Sequence, residues 1–233
     1  MKRLACALLL AAATAAGCGP SAPAKPPGDA PDELKFEMGI ASQIAFDVTA
    51  LKRGEKSMYA VRLVGKTQPD YVKYAVVDDD ATSVWIENTV PADPRPFVIK
   101  SRYDRKNAKL LERWAGEAGS AMPAKLYPRE GRKVEEAPHR DSSQARADFK
   151  EEPDQISVAG KTWMATRVTT TLSYPDGRKS VLTDWYHKDV PFSVVIENKR
   201  VLGGLLKRQF GRLTMELVTW DAKGARAELE IPR

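Results

Sequence analysis

Residues 163–186 read WMATRVTTTLSYPDGRKSVLTDWY, and their reading decides the fold. Trp163 to Leu172 is rich in β-branched and aromatic residues, which suit a pleated, half-buried surface. Pro175-Asp176-Gly177 comes next; Pro presets φ for a turn and Gly accepts a positive φ, so the chain reverses there. Val181 to Tyr186 then pairs back on the first segment as a β-hairpin.

Outward from this hairpin, most segments alternate with period two. Gln43 to Thr49 places Ile44, Phe46 and Val48 on one face, and Ser57 to Val64 does the same with Tyr59, Val61 and Leu63. Tyr71 to Val77, Ser83 to Glu87 and Phe97 to Tyr103 complete a first set of strands. Near the end of the sequence, Gly211 to Trp220 and Ala225 to Ile231 flank a turn at Asp221 to Gly224, and the second of these alternates strictly. One segment departs from the pattern: Asp104 to Gly119 sets Ala108, Leu111, Ala115 and Ala118 on a helical stripe between an N-capping Asp104 and a terminating Gly119. It reads as a short helix, with a strand around Leu110 and Leu111 as the competing reading. The expected fold is mainly β: an antiparallel curved sheet, half-barrel or sandwich, with one or a few short helices.

An internal pattern points to two similar halves. Trp85 to Pro91 and Trp185 to Pro191 share W-x4-V-P, and each is followed by a Phe-led apolar segment. A strand-like segment with a central Arg, Arg62 or Arg167, precedes each, and a basic segment follows. Three elements in the same order suggest duplication. The organisation read from the chain is a leader at 1–17, a tether at 18–33, a first β half at 34–119, a polar connector at 120–155 and a second β half at 156–233.

Composition limits the function classes. The chain has 233 residues, 42% of them hydrophobic, enough to fill a core and exclude wholesale disorder. The net charge of +6 falls short of a dedicated nucleic-acid binder, and two Cys are too few for a disulfide scaffold or a cysteine-rich zinc module.

The leader says where the protein resides. Lys2 and Arg3 precede thirteen apolar or small residues, Leu4 to Ala16, too few to cross a ~30 Å hydrocarbon core comfortably, so the run reads as a signal h-region. It closes in Ala15-Ala16-Gly17-Cys18, which resembles the lipobox of bacterial lipoproteins, with Ala15 where Leu is usual. The resemblance implies cleavage before Cys18 and acylation of its thiol and new amino group; an ordinary signal peptide with an incidental Cys is the competing reading. Gly19 stands where a retention Asp would hold an enteric lipoprotein at the inner membrane, which by the same resemblance favours the outer membrane. Several acyl chains anchor effectively permanently. Five prolines between Gly19 and Glu33 then make an extended spacer at about 3.1 Å per residue, roughly 45 Å in all.

The search for chemistry is mostly negative. No G-x-S-x-G, H-E-x-x-H, P-loop or G-x-G-x-x-G occurs, and His139 and His187 have no thiol to pair with in the mature chain. Asp78-Asp79-Asp80 reads as a solvated hairpin tip and Gly203-Gly204 as a turn or bulge. No catalytic residue, metal or cofactor is expected. Two basic segments stand out: seven basic residues against two acids from Arg95 to Arg113, and five with no acid from Lys199 to Arg212, interleaved with Leu and Phe. Lys100, Arg102, Lys199, Arg200, Lys207 and Arg208 are the candidate contacts for an anionic amphiphile, charge pairing its head group while its chain lies on the apolar residues. The same charges equally suit the solvated outer face of two strands whose Leu residues fill the core.

A lipobox, a proline tether and a β-rich body are similar to the lipoprotein carrier and receptor family (LolA/LolB type), and the W-x4-V-P segments to poorly characterised outer-membrane lipoproteins. The resemblance implies a curved antiparallel sheet closing over a helix, with acyl chains bound in its concavity. Two function classes follow: a membrane-anchored protein that binds or carries a lipid or other anionic amphiphile, or a non-enzymatic envelope lipoprotein that docks a protein or an anionic glycan. Neither requires nucleic acid. The anchor has its own test: Cys18→Ala is expected to move the protein from the membrane fraction to a soluble or uncleaved form, and unchanged fractionation and acylation would overturn the assignment.

Overall fold

A computed structural model describes residues 46–92, 94–128, 146–196 and 200–231. Cys18, the tether, Ile44, His139 and Lys199 lie outside the described residues.

The described residues form thirteen strands: β1 (Lys56–Leu63), β2 (Asp70–Asp79), β3 (Ser83–Val90), β4 (Phe97–Asp104), β5 (Leu110–Glu117), β6 (Ala124–Tyr127), β7 (Arg146–Val158), β8 (Lys161–Ser173), β9 (Lys179–His187), β10 (Val195–Ile196), β11 (Arg200–Val201), β12 (Gly204–Phe210) and β13 (Leu213–Asp221). Eleven of them make one sheet in the order β6-β5-β4-β3-β2-β1-β13-β12-β9-β8-β7, every pair antiparallel, and β10–β11 is a separate hairpin between β9 and β12. The sheet is two meanders, β1–β6 and β7–β13, joined where β1 pairs with β13.

The sheet is curved and unclosed. Trp163 on β8 and Trp220 on β13 are three strand spacings apart in the sheet order, about 14 Å on a flat surface, yet their ring centroids are 5.2 Å apart. Alternation decides which side chains point inward. Tyr59, Tyr74, Val76, Val84, Ile86, Met215 and Leu217 form one buried apolar face.

The other face of the first meander is covered by the end of the chain. Residues 225–231, expected as a strand beside β13, are not a strand; they cross the sheet as a strap. Their strict alternation is real, but their backbone groups bond side chains. Glu87 on β3 accepts the N–H of Glu228 at 2.7 Å and that of Leu229 at 3.3 Å, and Lys100 on β4 donates to the Leu229 carbonyl at 2.8 Å. Glu87 and Lys100 also pair with each other at 3.3 Å, the carboxylate fully buried. Leu229 is itself fully buried, and Gly116 on β5 leaves room for it: a Cβ there would come within 3.2 Å of the Leu229 side chain.

Two other sequence expectations give way. No helix occurs among the described residues, and Asp104 to Gly119 is a turn followed by strand β5. Asp104 does cap, accepting the N–H of Lys106 at 2.7 Å, but Ala108 at φ 55° ends the turn at once. Pairing with β4 on one side and β6 on the other then outweighs the weak helical stripe, whose Leu111 is exposed while Ala115 is buried. The stretch read as a polar connector supplies β6 and most of β7, because a strand solvated on both faces at a sheet's edge shows no apolar period. The hairpin of residues 163–186 forms as read, with Ser173 opposite Lys179 and Gly177 at φ 84°.

The strap's dependence on a buried charge gives a stability prediction. Glu87→Ala leaves the buried Lys100 ammonium without its counter-charge and two backbone N–H groups without their acceptor, and is expected to cost about 3–5 kcal/mol. Lys73→Ala removes a half-exposed ion pair with Glu228 and is expected to cost under about 1 kcal/mol. Urea unfolding midpoints at unchanged m-value distinguish the two.

Candidate functional site: the capped face of the open sheet

A single curved sheet must hide its apolar face with something. Here two short segments cap it: residues 46–51, before β1, and the loop after β9 that carries Val190, Phe192 and Val194. The caps hold each other through a bridge between Phe46 and Val194 and a bond from the Asp47 N–H to the Ser193 carbonyl at 2.7 Å. Arg105, in the turn after β4, pins the first cap. Its guanidinium donates to the carbonyls of Val48 (3.0 Å) and Leu51 (3.0 Å), while Asp79 anchors it at 2.7 Å. The second cap folds back tightly at Gly203 and Gly204, where any Cβ would lie within 2.5 Å of the His187 carbonyl oxygen or 2.0 Å of that of Pro191.

Under the caps the rings gather. Phe46 packs edge-on to Tyr74 at 5.1 Å and against Phe192 at 5.0 Å, and Tyr59 lies 6.0 Å from Tyr74. Phe192 is almost completely buried yet sits at φ 66°, a left-handed conformation that is strained for a bulky residue. Beside it is a recess of about 190 Å³, lined by Leu51, Val190, Phe192 and Trp220 with Glu55, Lys188 and Asp189 among its polar groups. Trp220 packs on Trp163, over whose ring Lys161 places its ammonium at 4.0 Å. Half-burial at the recess raises the Glu55 carboxyl above the usual carboxylate range against the opposing pull of the Lys52 N–H.

No family model matches this chain, and no curated protein does. Among solved structures, it is similar to a DUF1329 family protein from Desulfovibrio piger, at 10% identity and a TM-score of 0.31, over 80% of this chain and 90% of that one. Function is therefore read from the residues in place.

Of the six candidate anion contacts, Lys199 lies outside the described residues and the other five take separate places. Lys100 is buried under the strap. Arg208 on β12 is buried as well, its guanidinium donating to both carboxylate oxygens of Asp184 on β9 at 2.8 Å, with the Tyr186 hydroxyl donating to the same carboxylate at 2.5 Å. Burial works against the Arg208 charge, but Asp184 outweighs it and holds the guanidinium above its ordinary pKa. Arg102 donates to Ser83 at 3.1 Å and lies over the Trp85 ring at 5.9 Å; Lys207 pairs with Glu216 at 3.5 Å. Arg200 lies in β11, opposite Ile196. Sequence reading missed Glu87, Asp184, Arg105 and Phe192. Of these, Asp184 carried a signal, an acid in step with Leu182 and Tyr186 on the face that alternation buries, whereas Glu87 falls on the face that alternation leaves to solvent and is buried there by the strap.

The remaining sequence candidates take local roles. His187 ends β9, accepts the Asp189 N–H at Nδ1 (3.2 Å) and meets the Trp163 ring at 4.8 Å. Asp80 closes the β2–β3 turn by accepting from Thr82 and Ser83, and these bonds, the Thr82 hydroxyl's first, hold its carboxyl well below the usual range. Both W-x4-V-P tryptophans stand on the third strand of their meander. Val90 ends β3, whereas Val190 lies in the loop beyond β9.

The buried hydroxyls give a pH prediction. Burial raises the phenols of Tyr59, Tyr74 and Tyr186 above the ordinary value, Tyr74 up to about 12. The native state keeps these protons after the unfolded chain, with pKa near about 10, has lost them. The resulting stability is complete below pH ~10 and is lost as pH rises from there through the native values. Unfolding midpoints are expected to fall over that range, and tyrosinate absorbance should show these three phenols ionising only on unfolding.

Proposed function

We propose that the protein is a lipid-anchored protein of the bacterial envelope, at the outer membrane in preference to the inner, that binds the acyl part of an anionic amphiphile beneath the caps of its open sheet and performs no chemistry on it. The anchoring half of this reading rests on Cys18 and its lipobox. The binding half rests on one observation: an unclosed sheet whose apolar face is covered, among the described residues, by two short segments, one of them inserting Phe192 in a strained conformation.

Three features support it. Phe192 occupies the position an apolar chain would take, between Phe46, Tyr74 and the recess. At about 190 Å³ the recess lies below the ~300–1,000 Å³ of pockets that enclose a whole ligand, so an acyl chain enters by displacing Phe192 and relieving its backbone strain. Lys188 and Lys161 are exposed cations at or near the rim and suit an anionic head group; Glu55 and Asp189 set the side from which it is excluded. This assigns head-group recognition to Lys188 and Lys161 in place of the buried Lys100 and Arg208.

A second reading, docking of a protein, is favoured by the solvated outer half of β7.

The test is direct. Full-length protein purified from membranes is expected to carry non-covalent lipid, released without hydrolysis and detected by mass spectrometry. Phe192→Ala opens the recess and is expected to bind a fluorescent fatty acid about tenfold more tightly than the parent chain, a gain of about 1.4 kcal/mol. If neither the parent nor the variant holds lipid or binds the probe, the reading fails.

A further inference from the structure

The sheet ends in β7, a strand of thirteen residues with β8 as its sole neighbour in the sheet order. Residues 146–151 are exposed, and an edge of this length is a template for another strand unless something blocks it. Its sequence RADFKEE, from Arg146 to Glu152, is charge-complementary to itself when reversed about Phe149. We infer that β7 pairs antiparallel with β7 of a second copy of this chain about a two-fold axis at Phe149, the register set by Arg146 opposite Glu152 and Asp148 opposite Lys150.

A two-fold perpendicular to the sheet keeps each face on its own side, so only registers with some residue opposite itself are open. With Phe149 on the axis, opposite charges meet at both charged pairs on one face, and Ala147 faces Glu151. Moving the axis to Asp148 sets Asp148 against itself and Arg146 against Lys150. Moving it to Lys150 sets Lys150 against itself and Asp148 against Glu152. Directly opposed like charges destabilise a strand pair, and directly opposed unlike charges stabilise it. The pairing then stops where it must, since Pro153 has no N–H to offer.

The charged side chains are at liberty to change partners. Arg146–Asp148 and Lys150–Glu152 are ion pairs along the strand, and the side chains of Arg146 and Lys150 are 81% and 73% exposed, so these pairs contribute little. Glu152 also contacts Arg167 on β8, which holds it on this face. On the opposite face Phe149 lies in a row with Thr170 of β8 and Leu182 of β9, and Phe149 is 39% exposed. Pairing about Phe149 joins this row to its copy and buries the ring. Seven paired residues on each side make a small interface, and the anchoring proposed above would raise its occupancy by confining both copies to one bilayer.

Natural cysteines occur only at positions 6 and 18, so a single new one reports the contact. Phe149→Cys in the full-length chain places two sulfurs across the axis within the reach of a disulfide. On mild oxidation of envelope membranes it is expected to form a linked dimer about tenfold faster than Val64→Cys, which is more exposed but lies five strands away in the sheet order, with the parent chain as the background for Cys6 and Cys18. Adding Arg146→Glu should abolish the advantage, and adding Glu152→Arg to that variant should restore it. Crosslinking no faster than at Val64, or unaffected by the charge reversal, would overturn the inference.

Discussion

The ladder between β1 and β13 is the contact on which the rest depends. It runs from Lys56 opposite Asp221 to Leu63 opposite Leu213, and it joins the first strand described to the last. Without it the protein is two meanders, each with an apolar face and two bare edges. With it, Tyr59 and Leu217 stand side by side, and the curvature carried across the joint brings Trp220 under Trp163. The recess follows from the same joint, because Leu51 arrives from just before β1, Trp220 from β13 and Phe192 from the loop after β9.

Among the described residues one large sheet has two faces and no second layer packs on it, so irregular segments of the chain cover them. The inner face takes the caps at 46–51 and 188–196; the outer face of the first meander takes the strap. Irregular backbone carries unmet N–H and C=O groups, and burying it requires polar partners inside. This accounts for charged groups in an otherwise apolar body. Glu87 and Lys100 bond the strap's backbone, and Arg105 bonds the carbonyls of the first cap. These ions are costly to desolvate as isolated pairs; hydrogen bonds to backbone offset that cost.

The same reasoning explains what the sequence made legible. Local alternation and a Pro-Asp-Gly turn were enough to place β8, β9 and most of the first meander, because those strands are half-buried and their neighbours in sequence are their neighbours in space. The alternation of Ala225 to Ile231 was read as a strand and is not one: the segment bends at Glu228 and Leu229, and Ala227 is exposed where the period would bury it. β7 was unreadable for the opposite reason: exposed on both faces over Arg146 to Glu151, it has no period to show. The basic strips were misleading at Lys100 and Arg208, whose charges are matched by Glu87 and Asp184, distant in sequence and adjacent across the sheet. Phe192 carried no signal at all, because its strain is a property of the cap's path.

Joining first strand to last also sets the order of assembly. A chain synthesised from its N-terminus presents β1 long before β13 exists, and the intervening strands can zip up locally while one edge of β1 waits. Its native partner there arrives only with residues 213–221. High sequence separation of this kind makes the last step of folding the slow one and leaves an adhesive border exposed in the meantime. A locally connected fold of the same size leaves no strand waiting for its neighbour in this way.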